Sequence, residues 1–260
     1  MQVPLDEHEV APGLWQLTLN RPAVRNALDA ELIAALSAAV ARHAGSATTR
    51  VLLIAAAGSA FCAGADLNQM LLLGQQPRVD NLADAERLAG LLLALRQCPK
   101  PSIALVQGPA VGGGVGLVCA CDLAVAAEEA RFRLPEVQLG LVPAVISPYL
   151  LEAIGPRQAR RYCLSGEQLS AAGARELGLV HEVVPATELA ARGLALGTAI
   201  AAGGPQALAA CKQLLTGAAA AGATPAAARD TARLLADLRA GPEAQAGIAA
   251  ALADRAPDWR

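Results

Sequence analysis

The first 185 residues carry hydrophobic patterns of two kinds, one typical of strands and one typical of helices. Residues Leu14–Leu19 alternate apolar and polar side chains, which predicts a half-buried strand, and the continuous apolar run Val51–Ala57 has the length of a buried strand. Between them, Leu or Val recurs at every fourth position from residue 28 to residue 40. That spacing predicts an amphipathic helix with Asn26 or Asp29 as its N-cap.

After residue 57 the pattern continues to alternate helices with strands and then becomes purely helical. The predicted elements are a short helix starting at Asp66, a helix over 82–97, a strand over 103–107, a turn at Gly108-Pro109, a helix from Gly113, a strand over 122–127, and a helix ended by Gly178 with a strand behind it. From Gly203 onward, three helices are predicted over 205–216, 225–239 and 242–254. This order predicts an α/β core with a helical C-terminal appendage, which packs on its own core or on another subunit.

The segment Gly108–Leu117, GPAVGGGVGL, places bare backbone where a strand gives way to a helix. The first amides of a helix have no partner within the helix and lie at its positive end. The absence of side chains at residues 112–114 therefore lets a ligand oxygen reach those amides, and Gly64-Ala65 offers a second such place. Two convergent amides form an oxyanion hole for a carbonyl oxygen. Close packing of the helix on a strand explains the same glycines, so both interpretations stand at this point.

The composition and net charge limit the classes of protein to which this chain can belong. Of the 260 residues, 54% are hydrophobic and 17% are charged, which is typical of a globular chain, and the net charge of −2 argues against a nucleic-acid-binding face. The acidic start has no signal-peptide pattern, and the uncharged stretch 103–121 is broken by Pro and Gly, so we expect a buried element and no membrane span. Six cysteines without a histidine cluster indicate free thiols in a reducing cytoplasm and no metal site.

Several segments resemble the enoyl-CoA hydratase/isomerase (crotonase) superfamily, and together they extend along essentially the whole chain. These segments are LNRPAVRNAL, FCAGADL, GPAVGGGVGL, ARFRLPEVQLGLVP, LSGEQLSAAGARELGLVHEVVP and GIAAALADRAPDW. The resemblance implies an α/β crotonase fold of repeated ββα units over residues 1–200 and a helical trimerisation region over 201–260. It also implies a homotrimer or homohexamer and an acyl-CoA thioester substrate, with coenzyme A as part of the substrate and no separate cofactor.

The same resemblance implies roles for individual residues. The backbone amides of Ala65 and Gly113 are expected to hold the thioester oxygen, and Glu136 is expected to be the catalytic carboxylate. The residues expected to contact substrate or coenzyme A are Arg25, Ala27, Ala63, Asp66, Leu67, Gly112, Gly116 and Pro135. Lys212 is a further candidate, for the coenzyme A phosphate of a neighbouring subunit, whereas Asn68 replaces a basic residue that many relatives carry.

One departure from the family pattern bears on the reaction. The hydratases that the chain resembles carry two glutamates, and Gly116 occupies the position of the second. The segment GLVPAVISPYL resembles hydratases of the glutaconyl-CoA type, so the first expectation is hydration of a branched 2-enoyl-CoA such as 3-methylglutaconyl-CoA or isohexenylglutaconyl-CoA. Isomerisation of a 3-enoyl-CoA to a 2-enoyl-CoA, with Glu136 as the single base, is the alternative. A non-catalytic binding protein of the same fold is the third.

Overall fold

The computed structural model describes residues 3–259, which form a layered α/β arrangement followed by helices. The strands are β1 (Leu5–Ala11), β2 (Leu14–Leu19), β3 (Val51–Ala56), β4 (Ser102–Val106), β5 (Ala110–Val111), β6 (Leu123–Ala127), β7 (Arg131–Arg133), β8 (Gln168–Ser170) and β9 (Glu182–Val184). The helices are α1 (Ala30–Ala44), α2 (Leu67–Leu73), α3 (Arg78–Gln97), α4 (Gly113–Ala120), α5 (Ser147–Ser165), α6 (Ala171–Leu177), α7 (Leu189–Ala201), α8 (Pro205–Ala221), α9 (Pro225–Ala240) and α10 (Pro242–Leu252). Strands are interspersed with helices up to β9, as the sequence predicts, although β1 and β2, α2 and α3, β4 and β5, and β6 and β7 follow one another directly.

The main sheet has six strands in the order β1-β2-β3-β4-β6-β9. Only β1 and β2 pair antiparallel; the other neighbours are parallel, with Leu17 opposite Ile54 and Ile54 opposite Ala104. The central strands are buried on both faces, which is why β3 and β4 read as continuous apolar runs. A second, three-stranded sheet has the order β5-β7-β8.

Helices cover the two faces of the main sheet. The larger core cluster joins one face to α1, α3, α4 and α5, and the smaller cluster lies on the other face, where Leu189 and its neighbours in α7 pack on β2, β3, β4 and β6. Helices α8–α10 follow α7, which ends at Ala201, and the division into a core over 1–200 and a trimerisation region over 201–260 stays a prediction. No single helix in residues 3–259 is long and apolar enough to span a membrane; only the bent pair Ala186–Ala201 with Pro205–Gly217 passes on length and composition, across a 103° bend.

Most element boundaries follow from local signals. Asp29, and not Asn26, caps α1, because its carboxylate accepts the Leu32 amide at 2.8 Å. The buried Asn26 side chain instead accepts the Arg21 amide and donates to the carbonyls of Ala57 and Ala60. Gly178 ends α6 in a left-handed conformation, as predicted.

Other elements and boundaries were not predicted from the sequence patterns. Helix α3 begins four residues before the predicted start, and β1, β5, β7, β8, α5 and α7 were not predicted. The edge strand β1 is mostly polar, and β5 has only two residues. Helix α5 is interrupted at Gly155-Pro156, where Gly155 has a φ of 70°. A helix with such a break has no continuous 3.6-residue period to recognise.

Candidate active site

A cavity of about 290 Å³ lies between the start of α4, helices α2 and α3, and the segment that leads into α5. Its walls bring together Ala65, Gly113 and Glu136, three residues expected at one site although they lie far apart in sequence. Apart from a few polar groups, the walls are aliphatic. The remaining lining residues are Leu28, Ile33, Asp66, Gln69, Met70, Asp84, Ala85, Leu88, Leu141, Val142, Pro143, Ala144, Val145 and Ile146.

The turn before α4 depends on Gly112. This residue has a φ of +50° and a ψ of −115°, a backbone conformation that side-chain-bearing residues rarely adopt, and its amide donates to the Arg133 carbonyl at 2.9 Å. A Cβ atom at Gly112 would lie 2.9 Å from Oε1 of Glu136. Gly112 therefore both turns the chain into α4 and leaves the space that the Glu136 carboxylate occupies.

Two backbone amides at the cavity are available to a ligand. Gly64, with a φ of +87°, accepts the Leu28 amide at 2.7 Å, and the Asp66 amide donates to the Leu28 carbonyl at 3.1 Å. These two hydrogen bonds flank Ala65 and leave its amide without an acceptor. The amide of Gly113 is the first in α4, so it has no acceptor inside the helix. Among the hydrogen bonds of residues 3–259, neither amide has an acceptor. Both are therefore left to donate to a ligand in the cavity, and free backbone amides are the donors from which an oxyanion hole is built.

Glu136 supplies the carboxylate of the cavity. It begins a short 3-10 helix, Glu136–Leu139, directly after Pro135, and its Oε2 is buried without a hydrogen-bond partner. Burial raises the pKa of Glu136 above its ordinary value, although its own backbone amide acts in the opposite direction. A carboxyl group in such surroundings exchanges a proton more readily near neutral pH than an exposed glutamate does, which suits a general base.

Gly116 lies apart from the cavity. A Cβ atom at this position would lie 2.4 Å from Cγ2 of Ile146 and 3.3 Å from Cδ1 of Leu92. Ile146 is 3% exposed and itself lines the cavity. The expectation that Gly116 contacts the substrate therefore needs correction: it packs on Ile146, whose branched side chain occupies the space in which a side chain at 116 would lie.

The other expected contact residues surround the cavity to different extents. Asp66 lines it and caps α2, since its Oδ1 accepts the amides of Asn68 at 3.0 Å and Gln69 at 3.3 Å. Ala63 donates its amide to the Arg25 carbonyl at 2.9 Å, which ties the two expected coenzyme A segments together. The expected contact residues outside the cavity walls are Arg25, Ala27, Ala63, Leu67, Gly112, Gly116 and Pro135, of which Arg25 and Leu67 are exposed. Apart from that of Gly116, corrected above, their roles toward coenzyme A stay predictions.

Lys212 does not have the free side chain that a phosphate ligand requires. Its Nζ lies 2.7 Å from Oδ2 of Asp122 and donates to the Lys100 carbonyl at 3.0 Å. The ion pair is largely buried and fastens α8 to the start of β6. We therefore correct the expectation: within its own chain, Lys212 holds the helical appendage to the core.

Sequence reasoning missed several parts of the wall, among them those from α3 and from the segment before α5. Asp84 and Leu88 come from α3, and residues 141–146 come from the irregular segment before α5. For a carboxylate on a helix, such as that of Asp84, no local sequence pattern indicates whether the side chain lines a cavity or faces solvent. Within residues 3–259, no three His, Cys, Asp or Glu side chains are grouped as ligands for a metal ion would be.

Comparison with known proteins identifies the family to which the chain belongs. The profile of the enoyl-CoA hydratase/isomerase family matches residues 9–260. The chain is 36% identical over 245 residues to 2,3-dehydroadipyl-CoA hydratase of Escherichia coli, covering 94% of each protein. It is 34% identical over 251 residues to mevalonyl-coenzyme A hydratase of Aspergillus fumigatus, covering 96% of this chain and 92% of that protein.

A solved structure confirms the expected fold. An enoyl-CoA hydratase from Shewanella pealeana superimposes on this chain with a TM-score of 0.94 at 38% identity, covering 98% of this chain and 96% of the other. The crotonase fold with its C-terminal helices, expected from the sequence resemblance, is therefore present. Matches over nearly the full length at this identity establish more than the fold: the chain belongs to the enoyl-CoA hydratase/isomerase family and is an enzyme of that family.

Proposed function

We propose that the protein adds water across the double bond of a 2-enoyl-CoA thioester. The observation that carries the proposal is the meeting of one carboxylate, Glu136, with two unpaired amides, those of Ala65 and Gly113, in a single aliphatic cavity. The amides can donate hydrogen bonds to a thioester oxygen, and the carboxylate can accept one from a water molecule. The aliphatic wall suits the acyl chain.

The reaction follows from these groups. Glu136 takes a proton from water while the water oxygen forms a bond to C3, and the electron pair of the C2–C3 double bond moves toward the thioester oxygen. The amides of Ala65 and Gly113 stabilise that oxygen, each contributing about 2.7–4 kcal/mol by analogy with other oxyanion holes. Glu136 then returns its proton to C2. One carboxylate performs both transfers in this scheme, because Gly116 has no side chain and Ile146 fills its surroundings.

Two acyl classes fit this reaction. The resemblance of GLVPAVISPYL favours branched glutaconyl-type thioesters, and the relatives named 2,3-dehydroadipyl-CoA and mevalonyl-CoA hydratase support a polar acyl end. The second class ends in an uncharged alkyl group, which the aliphatic wall supports.

Isomerisation of a 3-enoyl-CoA is the second candidate function. A single base is sufficient when it removes a proton from C2 and returns it to C4, and the packing of Ile146 on Gly116 favours a site with one carboxylate. Both reactions share the oxyanion hole and Glu136, so they differ only in whether water attacks.

Mass spectrometry of the products separates the candidates. The protein is incubated separately with 3-methylglutaconyl-CoA, its isohexenyl analogue, crotonyl-CoA and a 3-enoyl-CoA. A gain of one water supports hydration, and migration of the double bond without a mass change supports isomerisation. Glu136→Gln should lower either rate by about 10²–10⁴-fold, the usual contribution of a general base. Unchanged turnover in that variant would overturn the mechanism, and no turnover by the wild type would favour a binding role.

We further propose that copies of the chain associate through the appendage as a trimer or hexamer. Helix α9 buries no residue in the single chain, and apolar side chains of the appendage are exposed, among them Leu215, Leu235 and Leu252. Exposed apolar faces of this kind are typical of subunit contacts. Light scattering of the purified protein measures the number of copies, and a monomeric mass would contradict the proposal.

A further inference from the structure

The charged residues of the cavity all have the same sign. Asp66, Asp84 and Glu136 line it, together with the amide side chain of Gln69, and within the described residues no Lys, Arg or His side chain contributes to its walls. A carboxylate at the end of an acyl chain would therefore enter a small cavity with three acidic neighbours and no cationic partner. Like charges at such short range repel each other, and burial of an unpaired charge adds a desolvation cost.

The three acidic residues are compensated to different degrees. Asp66 accepts the amides of Asn68 and Gln69 in the first turn of α2. Oδ1 of Asp84 accepts from Gln69 at 3.2 Å and from Arg87 at 2.7 Å, but Oδ2 of Asp84 and Oε2 of Glu136 accept no hydrogen bond within residues 3–259. Arg87, the cation paired with Asp84, lies outside the cavity walls with its side chain 45% exposed. Solvent screens that side chain, so it offsets the charge of Asp84 only weakly inside the cavity.

Asp84 is held in place by its neighbours. The Gln69 side chain donates to Asp84 and accepts the Ala30 amide at 3.3 Å, so that one amide group links the start of α1, helix α2 and helix α3. An anchored carboxylate cannot swing away when a second negative charge approaches. Its position in the wall therefore acts against charged ligands, in the way that binding sites reject unwanted partners by repulsion.

We infer that the cavity selects 2-enoyl-CoA thioesters whose acyl chain ends in an uncharged alkyl group, and that Asp84 is a specificity-determining residue that rejects a terminal carboxylate. This inference rests on the proposed function. Of the two acyl classes named there, it favours thioesters with an uncharged alkyl end over the glutaconyl type. The aliphatic side chains of Leu88, Val145 and Ile146 complement such an alkyl end.

A matched pair of substrates tests the selection. Trans-2-hexenoyl-CoA and 2,3-dehydroadipyl-CoA have acyl chains of equal carbon number and differ in the terminal carboxylate. We expect kcat/KM of the wild type to favour hexenoyl-CoA by about tenfold or more, a difference of about 1.4 kcal/mol per tenfold. Asp84→Asn keeps the shape and the hydrogen bonds and should reduce that ratio severalfold. Glu86→Gln removes an acidic charge from an exposed position of α3 outside the cavity, and it should leave the ratio unchanged.

Each result bears on the inference. Equal or better turnover of dehydroadipyl-CoA by the wild type would overturn the selection. A ratio that Asp84→Asn leaves unchanged, or that Glu86→Gln changes equally, would overturn the role of Asp84. If neither thioester gains water, the proposed function fails, but the selection is still measured by the dissociation constants of hexanoyl-CoA and adipyl-CoA, which have no double bond to hydrate. Tighter binding of hexanoyl-CoA supports the inference, and equal binding contradicts it.

Discussion

Two pairs of glycines in the same short segment lack side chains for different reasons. Gly112 and Gly113, the cavity glycines, lie at the start of α4: Gly112 is outside the cavity wall and makes room for Glu136, and Gly113 lines the cavity with a free amide. Gly114 and Gly116, the core glycines, face the protein interior. A Cβ atom at Gly114 would lie 2.6 Å from the Cys62 carbonyl oxygen, and one at Gly116 would meet Ile146. The packing interpretation of the glycine-rich stretch therefore holds at Gly114 and Gly116. The oxyanion-hole interpretation concerns the amide of Gly113 and stays a prediction.

Substitution of Gly112 should give the largest effect. Gly112→Ala places a methyl group against Glu136 and forces alanine into a conformation with positive φ, so we expect kcat/KM to fall by about 10²-fold through displacement of the carboxylate. Gly140 also has a positive φ, +73°, but nothing lies within 4 Å of a Cβ there. Gly140→Ala therefore places an alanine at a positive φ without a steric clash, in a left-handed helical conformation that costs about 1–2 kcal/mol. Equal losses of activity in both variants would contradict the role assigned to Gly112.

A change at Gly114 should act mainly on stability. Gly114→Ala brings Cβ against the backbone of Cys62, which cannot move without disturbing the strand contact with Val111, so the free energy of unfolding should fall by about 2–3 kcal/mol. Urea denaturation measures this. Gly90→Ala in α3, where a Cβ meets nothing within 4 Å, should instead stabilise by roughly 0.5–1 kcal/mol. If both variants were equally stable, the close packing at Gly114 would be disproved.

The contact between Gly116 and Ile146 should give a smaller effect that a second change relieves. Gly116→Ala overpacks the contact with a stiff β-branched side chain, at a cost of about 1–3 kcal/mol. Because a side chain and not backbone must move, we expect the lower part of that range. In the double variant with Ile146→Ala, the two losses should sum to more than the observed loss, which a double-mutant cycle of unfolding free energies detects. Strict additivity would show that the two positions do not interact.

The acid side of the pH–rate profile should show the smallest effect. Burial raises the pKa of Glu136, and the base acts in its ionised form, so the rate should be lost as the pH falls through a value above the ordinary 4.5. The free energy of unfolding depends on pH in the opposite sense. Because the pKa of Glu136 is higher in the folded than in the unfolded chain, protonated Glu136 stabilises the fold at low pH, and this stabilisation is lost as the pH rises through the folded-state pKa. The residual rate of Glu136→Gln should lack this limb. A limb at or below 4.5 in the wild type would contradict the burial effect.

Local sequence signals accounted for the elements that position the site. Asp29 and Asp66 as caps, Gly178 as a helix end, and the start of α4 at Gly113 all depend on residues within a few positions of one another. The edge strand β1 and the broken helix α5 were missed, because their stability comes from pairing and packing and not from their own periodicity.

By itself, the sequence determined the α/β order, the two glycine turns with their free amides, and the glutamate after Pro135. These features are properties of short segments, in which backbone conformation follows from residue type. Only the tertiary structure decided that Ile146 fills the surroundings of Gly116, that Asp84 of α3 joins the wall, and that Lys212 pairs with Asp122. These contacts join residues 30 to 90 positions or so apart, and they depend on how helices and sheet pack together, which no local pattern records.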